Sequence, residues 1–162
     1  MSYLVIAVAV LVMISVLTSF RPSTRQKRQV ILRRYANERG LHVEIVADAV
    51  TNDKGSSPTA VRYLLPWTAK NIRHDDQRHW LLVRGQRGKL SPWKGWCWFQ
   101  QEAPKDCHSS IRRALDKMPS SVNAICSNSF GLGAYWPEKG KVEEIDKIAD
   151  SLRIISRNIK TD

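Results

Sequence analysis

Residues 3–20, YLVIAVAVLVMISVLTSF, run for eighteen positions without a charge, a proline or a glycine. As a helix rising about 1.5 Å per residue, the run reaches roughly 27 Å, enough to cross a hydrocarbon core with little tilt. The expectation is an N-terminal transmembrane helix. A cleaved signal peptide would carry a positive n-region and a small-residue cleavage site, and neither MSY before the run nor Thr18, Ser19 and Phe20 at its end supplies one. A buried helix of a soluble protein would need other elements to cover every side of it.

The charge sits beside this run. Residues 21–39 carry Arg21, Arg25, Lys27, Arg28, Arg33, Arg34 and Arg39 against Glu38, a net +6 of the chain's +11. Lys and Arg flank a membrane span on its cytoplasmic side, so the pattern predicts a short outer N-terminus and a cytoplasmic C-terminal domain at the inner membrane. Pro22 disfavours helix at Arg21. Ser23 and Gln26 fit a capping box and Gly40 a stop, so a second helix is expected over about 24–39. On a helical wheel its charges fall on nearly every side, with Lys27 and Arg34 opposite Arg25. That distribution disfavours a one-sided nucleic-acid recognition helix. Arg21, Arg25, Lys27, Arg28, Arg33 and Arg34 are read as a foot on anionic lipid headgroups, worth about 1 kcal/mol per basic residue near the surface.

The remaining chain alternates like a small α+β domain. Leu41, Val43 and Ile45 alternate with His42 and Glu44 in a strand, 51–58 is loop by composition, and 59–66, 79–84 and 95–101 read as further strands. Ile111, Leu115 and Met118 share a face of a helix over 109–118 that Asp106 or Ser109 could cap, and 121–129 and 131–136 read as strands. Over 141–160, Val142, Ile145, Ile148, Ala149, Leu152, Ile155 and Ile159 form an apolar stripe. Glu143 and Glu144 open that helix and Arg157 and Lys160 close it, as its dipole favours. The predicted fold class is α+β, an N-terminal transmembrane helix (1–20), a basic helix (21–40) and a domain over 41–162 with an antiparallel sheet covered on one face by helices. Cys97, Cys107 and Cys126 form no CxxC pair, and an odd count suits a reducing compartment.

Two local clusters invite function. On a strand, Trp96 and Trp98 share one face and Cys97 and Phe99 the other, with Trp93 just before. These tryptophans are either core packing or a surface for a partner, and Trp93, Trp96 and Trp98 are the candidate partner residues. His74, Asp75, Asp76 and His79 match no zinc spacing and read as a solvated loop. Cys107 and His108 are adjacent and point apart in extended chain, no serine lies in a GxSxG, and no Walker loop is present. GLG at 131–133 reads as a tight turn, and Glu143 and Glu144 as helix-start chemistry. No catalytic residue, metal, cofactor or small-molecule substrate is inferred.

The order of short N-terminus, apolar helix and Arg21-Pro22 leading into a Lys- and Arg-rich segment resembles YajC, the accessory subunit of the bacterial Sec translocase, over about the first thirty residues. The whole layout, with FRPSxRQ after the apolar run and GLGAYWPEKG before the last helix, is similar to a group of proteobacterial inner-membrane proteins sometimes given the YajC label. That resemblance implies a location and no particular activity. The expected function is a non-enzymatic accessory that binds a protein partner in the inner membrane, and the rival is a membrane-tethered nucleic-acid-binding domain.

Overall fold

The computed structural model describes residues 3, 6–8, 10–13, 23–47, 59–68, 79–99, 101–157 and 159, and the chain divides into two units, residues 1–31 and 32–162. In the first unit the expected transmembrane helix is corrected. Among the described residues no helix is long and apolar enough to cross a membrane. Residues 14–22, with Arg21 and Pro22, lie outside the described residues. The capping box is present: the Ser23 N–H donates to Gln26 Oε1 at 2.8 Å and the Gln26 N–H to Ser23 Oγ at 3.2 Å, opening helix α1 (Thr24–Glu38). Gly40, at φ 77, ends it in the left-handed conformation glycine adopts freely.

The second unit takes the last turns of α1, whose Leu32 and Ala36 are buried. Strands β1 (His42–Ala47), β2 (Thr59–Pro66), β3 (Trp80–Arg84), β4 (Lys89–Leu90) and β5 (Trp96–Trp98) follow. A 3-10 turn (Lys105–Cys107) leads into α2 (His108–Lys117), then come β6 (Ala124–Asn128), β7 (Gly131–Tyr135) and α3 (Val142–Ser156). The strands make one antiparallel sheet in the order β1-β2-β7-β6-β3-β5-β4. This agrees with the predicted α+β class and its antiparallel sheet.

Register fixes the two faces. One row crosses the sheet as Val43, Tyr63, Ala134, Ile125, Leu82 and Trp98, and these residues share a core with Leu32 and Ala36 of α1, Ile111 and Ala114 of α2, and Ile145, Ile148, Ala149, Leu152 and Ile155 of α3. The next row, Glu44, Arg62, Tyr135, Ala124, Val83, Cys97 and Leu90, lies on the opposite face, where Leu81 and Cys126 join a smaller cluster. The helices of this unit, α2, α3 and the last turns of α1, therefore sit on one face. On the outer side of that layer the Tyr35 hydroxyl donates to Asp146, Arg39 pairs with Asp146 at 2.9 Å, and Arg153 donates to the Arg39 carbonyl at 2.6 Å, which ties the end of α1 to α3.

Two local expectations fail for identifiable reasons. Neither Asp106 nor Ser109 caps α2: the helix starts at His108, so the N-cap position falls on Cys107, with no side-chain cap, while Asp106 lies before it and Ser109 inside the first turn. Gly131 and Gly133 do not form a tight turn but lie within β7, and neither has a positive φ. Glycine is required there for close approach, since a Cβ on Gly131 would strike the Leu65 carbonyl and one on Gly133 would come within 2.9 Å of both Arg62 Cδ and Cys126 Sγ. Gly133→Ala is accordingly expected to destabilise the domain by about 1–3 kcal/mol through overpacking, measured by urea unfolding. The three cysteines are buried and form no disulfide. A thiol reagent should label none in the native chain and all three after denaturation.

Candidate functional site

The tryptophan cluster is built from β5 inward. Trp96 and Trp98 face the helices and Cys97 the opposite side, as the alternation predicts, but Trp96 is only 6% exposed and Trp98 1%. Trp98 meets Trp80 edge-on at 5.9 Å and Trp93 at 5.7 Å, and the His108 ring packs on both Trp93 and Trp98. The Arg84 guanidinium lies 4.5 Å from the Trp96 ring centroid. Trp96 and Trp98 are therefore corrected from partner surface to core: T-shaped ring contacts and burial use the area a ligand would need. Trp93 is half-buried.

What these rings support is an exposed hairpin. Gly85 and Gly88 at positive φ turn the chain from β3 into β4, and Gly95 at φ 81 turns it into β5. A Cβ on Gly88 would strike the Trp98 carbonyl, so the turn is pressed onto β5. Ser91 Oγ donates to the Trp96 carbonyl at 2.7 Å and accepts the Trp93 N–H at 3.2 Å, which fixes the outer loop. Residues 84–95 hold Arg84, Arg87, Lys89 and Lys94 and no acidic residue. All four cations are exposed, Lys89 pairing with Glu102 at 3.1 Å, and Leu90 is 85% exposed between them.

The basic flank divides in the same way. Arg25, Lys27 and Arg28 are exposed on α1, and Arg21 lies outside the described residues. Arg34 pairs with Glu38 one turn on at 3.3 Å, an exposed contact of small value. Arg33 departs from the lipid-contact reading. Its guanidinium forks onto Glu138 at 2.8 and 2.9 Å, and the Tyr63 hydroxyl donates to the same carboxylate at 3.0 Å. The Glu138 side chain is 1% exposed and its backbone stands at φ 57, in the left-handed region a non-glycine residue rarely enters. Burial first, and the Glu138 charge second, push the Tyr63 phenol well above its ordinary value. Sequence reasoning missed this carboxylate because a Glu between Pro137 and Gly140 reads as solvated turn.

Other polar groups offer little reactive chemistry. On the second sheet face Arg62 pairs with Glu44 at 2.6 Å, and burial pushes the Cys126 thiol up although Arg62 opposes it, the reverse of an activated nucleophile. Trp136 donates to Ser121 Oγ at 2.9 Å and Ser121 to Glu144 at 2.5 Å, a linkage that anchors the start of α3. His79 Nε2 and Ser129 Oγ lie 3.0 Å apart on the surface, with no carboxylate on the ring among the described residues. His74, Asp75 and Asp76 lie outside the described residues, among which no three His, Cys, Asp or Glu side chains group to hold a metal. Fold and site together define an α+β domain that presents a basic, aromatic-backed hairpin at one sheet edge. No family model, curated protein or solved structure matches the chain, and nothing in those comparisons bears on the YajC likeness of its first thirty residues.

Proposed function

We propose that residues 32–162 act as a non-enzymatic protein-binding domain whose contact surface is the hairpin of residues 85–95, taking an acidic segment of a partner. The observation that carries this reading is an exposed Leu90 among Arg87, Lys89 and Lys94, with no acid in the stretch, on a base held rigid by buried Trp96 and Trp98. An apolar anchor ringed by like charges on a preorganised support suits a complementary protein surface. The nucleic-acid alternative is less favoured because base stacking needs an open ring face, whereas Trp98 is buried and Arg84 lies over Trp96.

The test is a photo-crosslinking residue at position 90 of the full-length chain in its native cells. The expected result is one protein recovered reproducibly, with the yield falling about tenfold in the Lys89→Glu, Lys94→Glu double variant while its melting curve stays unchanged. Recovery of no reproducible protein, or of nucleic acid whose binding collapses steeply as salt rises, would overturn the reading.

A further inference from the structure

The sheet ends in two unlike edges. At one, β4 is two residues long, carries Lys89, and follows Gly88 at φ 106. Short length, an edge lysine and a sharp turn are the means by which proteins keep an edge from pairing. At the other, β1 is six residues, HVEIVA, with no lysine, proline or bulge, in unbroken register with β2 from His42 opposite Leu64 to Ala47 opposite Thr59. Among the described residues this edge carries none of those defences.

Its hydrogen-bonding groups can be assigned. The Trp136 N–H donates to the Val61 carbonyl and the Trp67 N–H to the Phe130 carbonyl, so odd-numbered residues of β2 bond toward β7. Successive residues of an antiparallel strand turn their N–H and C=O to alternate sides. Even-numbered β2 residues therefore bond His42, Glu44 and Val46, and the backbone groups of Val43, Ile45 and Ala47 point away from the sheet. Among the described residues no strand meets them. Ile45, on the helix-bearing face opposite the half-buried Val61, is 63% exposed.

We infer that β1 is a dimerisation edge that pairs antiparallel with β1 of a second copy of this chain. The outward row is symmetric about Ile45, so a two-fold axis there sets Ile45 opposite the partner's Ile45 and Val43 opposite the partner's Ala47, with about six backbone hydrogen bonds, two for each bonded pair. The exposed isoleucines cover each other. On the other face Glu44 meets the partner's Val46, and the two Glu44 carboxylates are only diagonal neighbours, roughly 7–8 Å apart. Each remains neutralised by its own Arg62 at 2.6 Å. The strand is thus free of like-charge opposition to itself. This inference lies at the opposite sheet edge from the hairpin and does not depend on the protein-binding reading.

The test is sedimentation velocity of the full-length chain over a concentration series in non-ionic detergent, which suppresses association through the apolar run 3–20. The expected species is a dimer, and Ile45→Lys should weaken it about tenfold or more with an unchanged circular dichroism spectrum. Ile45→Cys supplies a second readout that reports register: paired residues at the axis lie about 5.5 Å apart between Cα atoms, within disulfide range, so mild oxidation should link two chains through position 45. Glu44→Cys should not link. A chain monomeric throughout the series, a dimer that survives Ile45→Lys, an Ile45→Cys chain that stays unlinked, or a monomer that binds another protein's extended segment at β1 would each overturn the inference.

Discussion

Replacing Glu138 with Ala is expected to destabilise the domain by about 2–4 kcal/mol, lowering its thermal midpoint by about 10 °C. Three hydrogen bonds converge on this carboxylate, two from Arg33 and one from Tyr63. Its removal leaves the Tyr63 hydroxyl buried without an acceptor, while the Arg33 guanidinium, a third exposed, recovers part of its hydration and keeps the loss below that of a fully buried pair. A glycine variant separates the ion pair from the backbone. Glu138 stands at φ 57, where a Cβ costs about 1–2 kcal/mol, so Glu138→Gly should lose the same hydrogen bonds yet unfold about 1 kcal/mol less readily than Glu138→Ala. Equal melting of Glu138→Ala and wild type would remove the carboxylate from any structural role.

The same cluster sets a pH dependence. Burial, then the Glu138 charge, hold the Tyr63 proton in the folded state far above the unfolded value of about 10. Below that pH both states are neutral at Tyr63 and its contribution is complete. As pH rises past about 10 the unfolded phenol ionises while the folded one does not, so stability falls. Urea midpoints measured from pH 8 to 11 should decline, and Tyr63→Phe should flatten the decline. A midpoint indifferent to alkali would contradict the burial of the phenol.

These features differ in how far the chain announces them. The stripe of α3 was readable because Ile145, Ile148, Leu152 and Ile155 recur at the helical period and only one arrangement buries them together. The bounds of β2 and the Ser23–Gln26 cap follow from local chemistry alone. Strand β4 was not readable, since two residues carry no period and its place is set by the turns at Gly85 and Gly88. Glu138 was illegible for the opposite reason: its partners Arg33 and Tyr63 are 105 and 75 residues away in the chain. The tryptophans fall between these cases. Alternation correctly set Trp96 and Trp98 on one face and Cys97 on the other, but only the packing of α2 against that face decides between a buried face and a docking face.

That decision leads to the second large effect. Trp98→Ala is expected to cost about 3–5 kcal/mol, enough to leave much of the chain unfolded at 37 °C and to abolish its near-ultraviolet dichroism, because it empties the space between Trp80, Trp93 and His108. Trp98→Phe should behave very differently. The indole N–H of Trp98 is buried with no hydrogen-bond partner among the described residues, a burden of about 1–3 kcal/mol that phenylalanine does not carry. Phenylalanine keeps a ring edge toward Trp80 and loses only part of the volume, so the two changes oppose each other and the net cost should stay below about 1.5 kcal/mol. The ratio of the two losses, read from urea unfolding, is the discriminating quantity. A Trp98→Ala chain that melts like wild type but no longer crosslinks a partner would return Trp98 to the surface. A Trp98→Phe loss as large as that of alanine would mean that the indole N–H has a partner worth keeping.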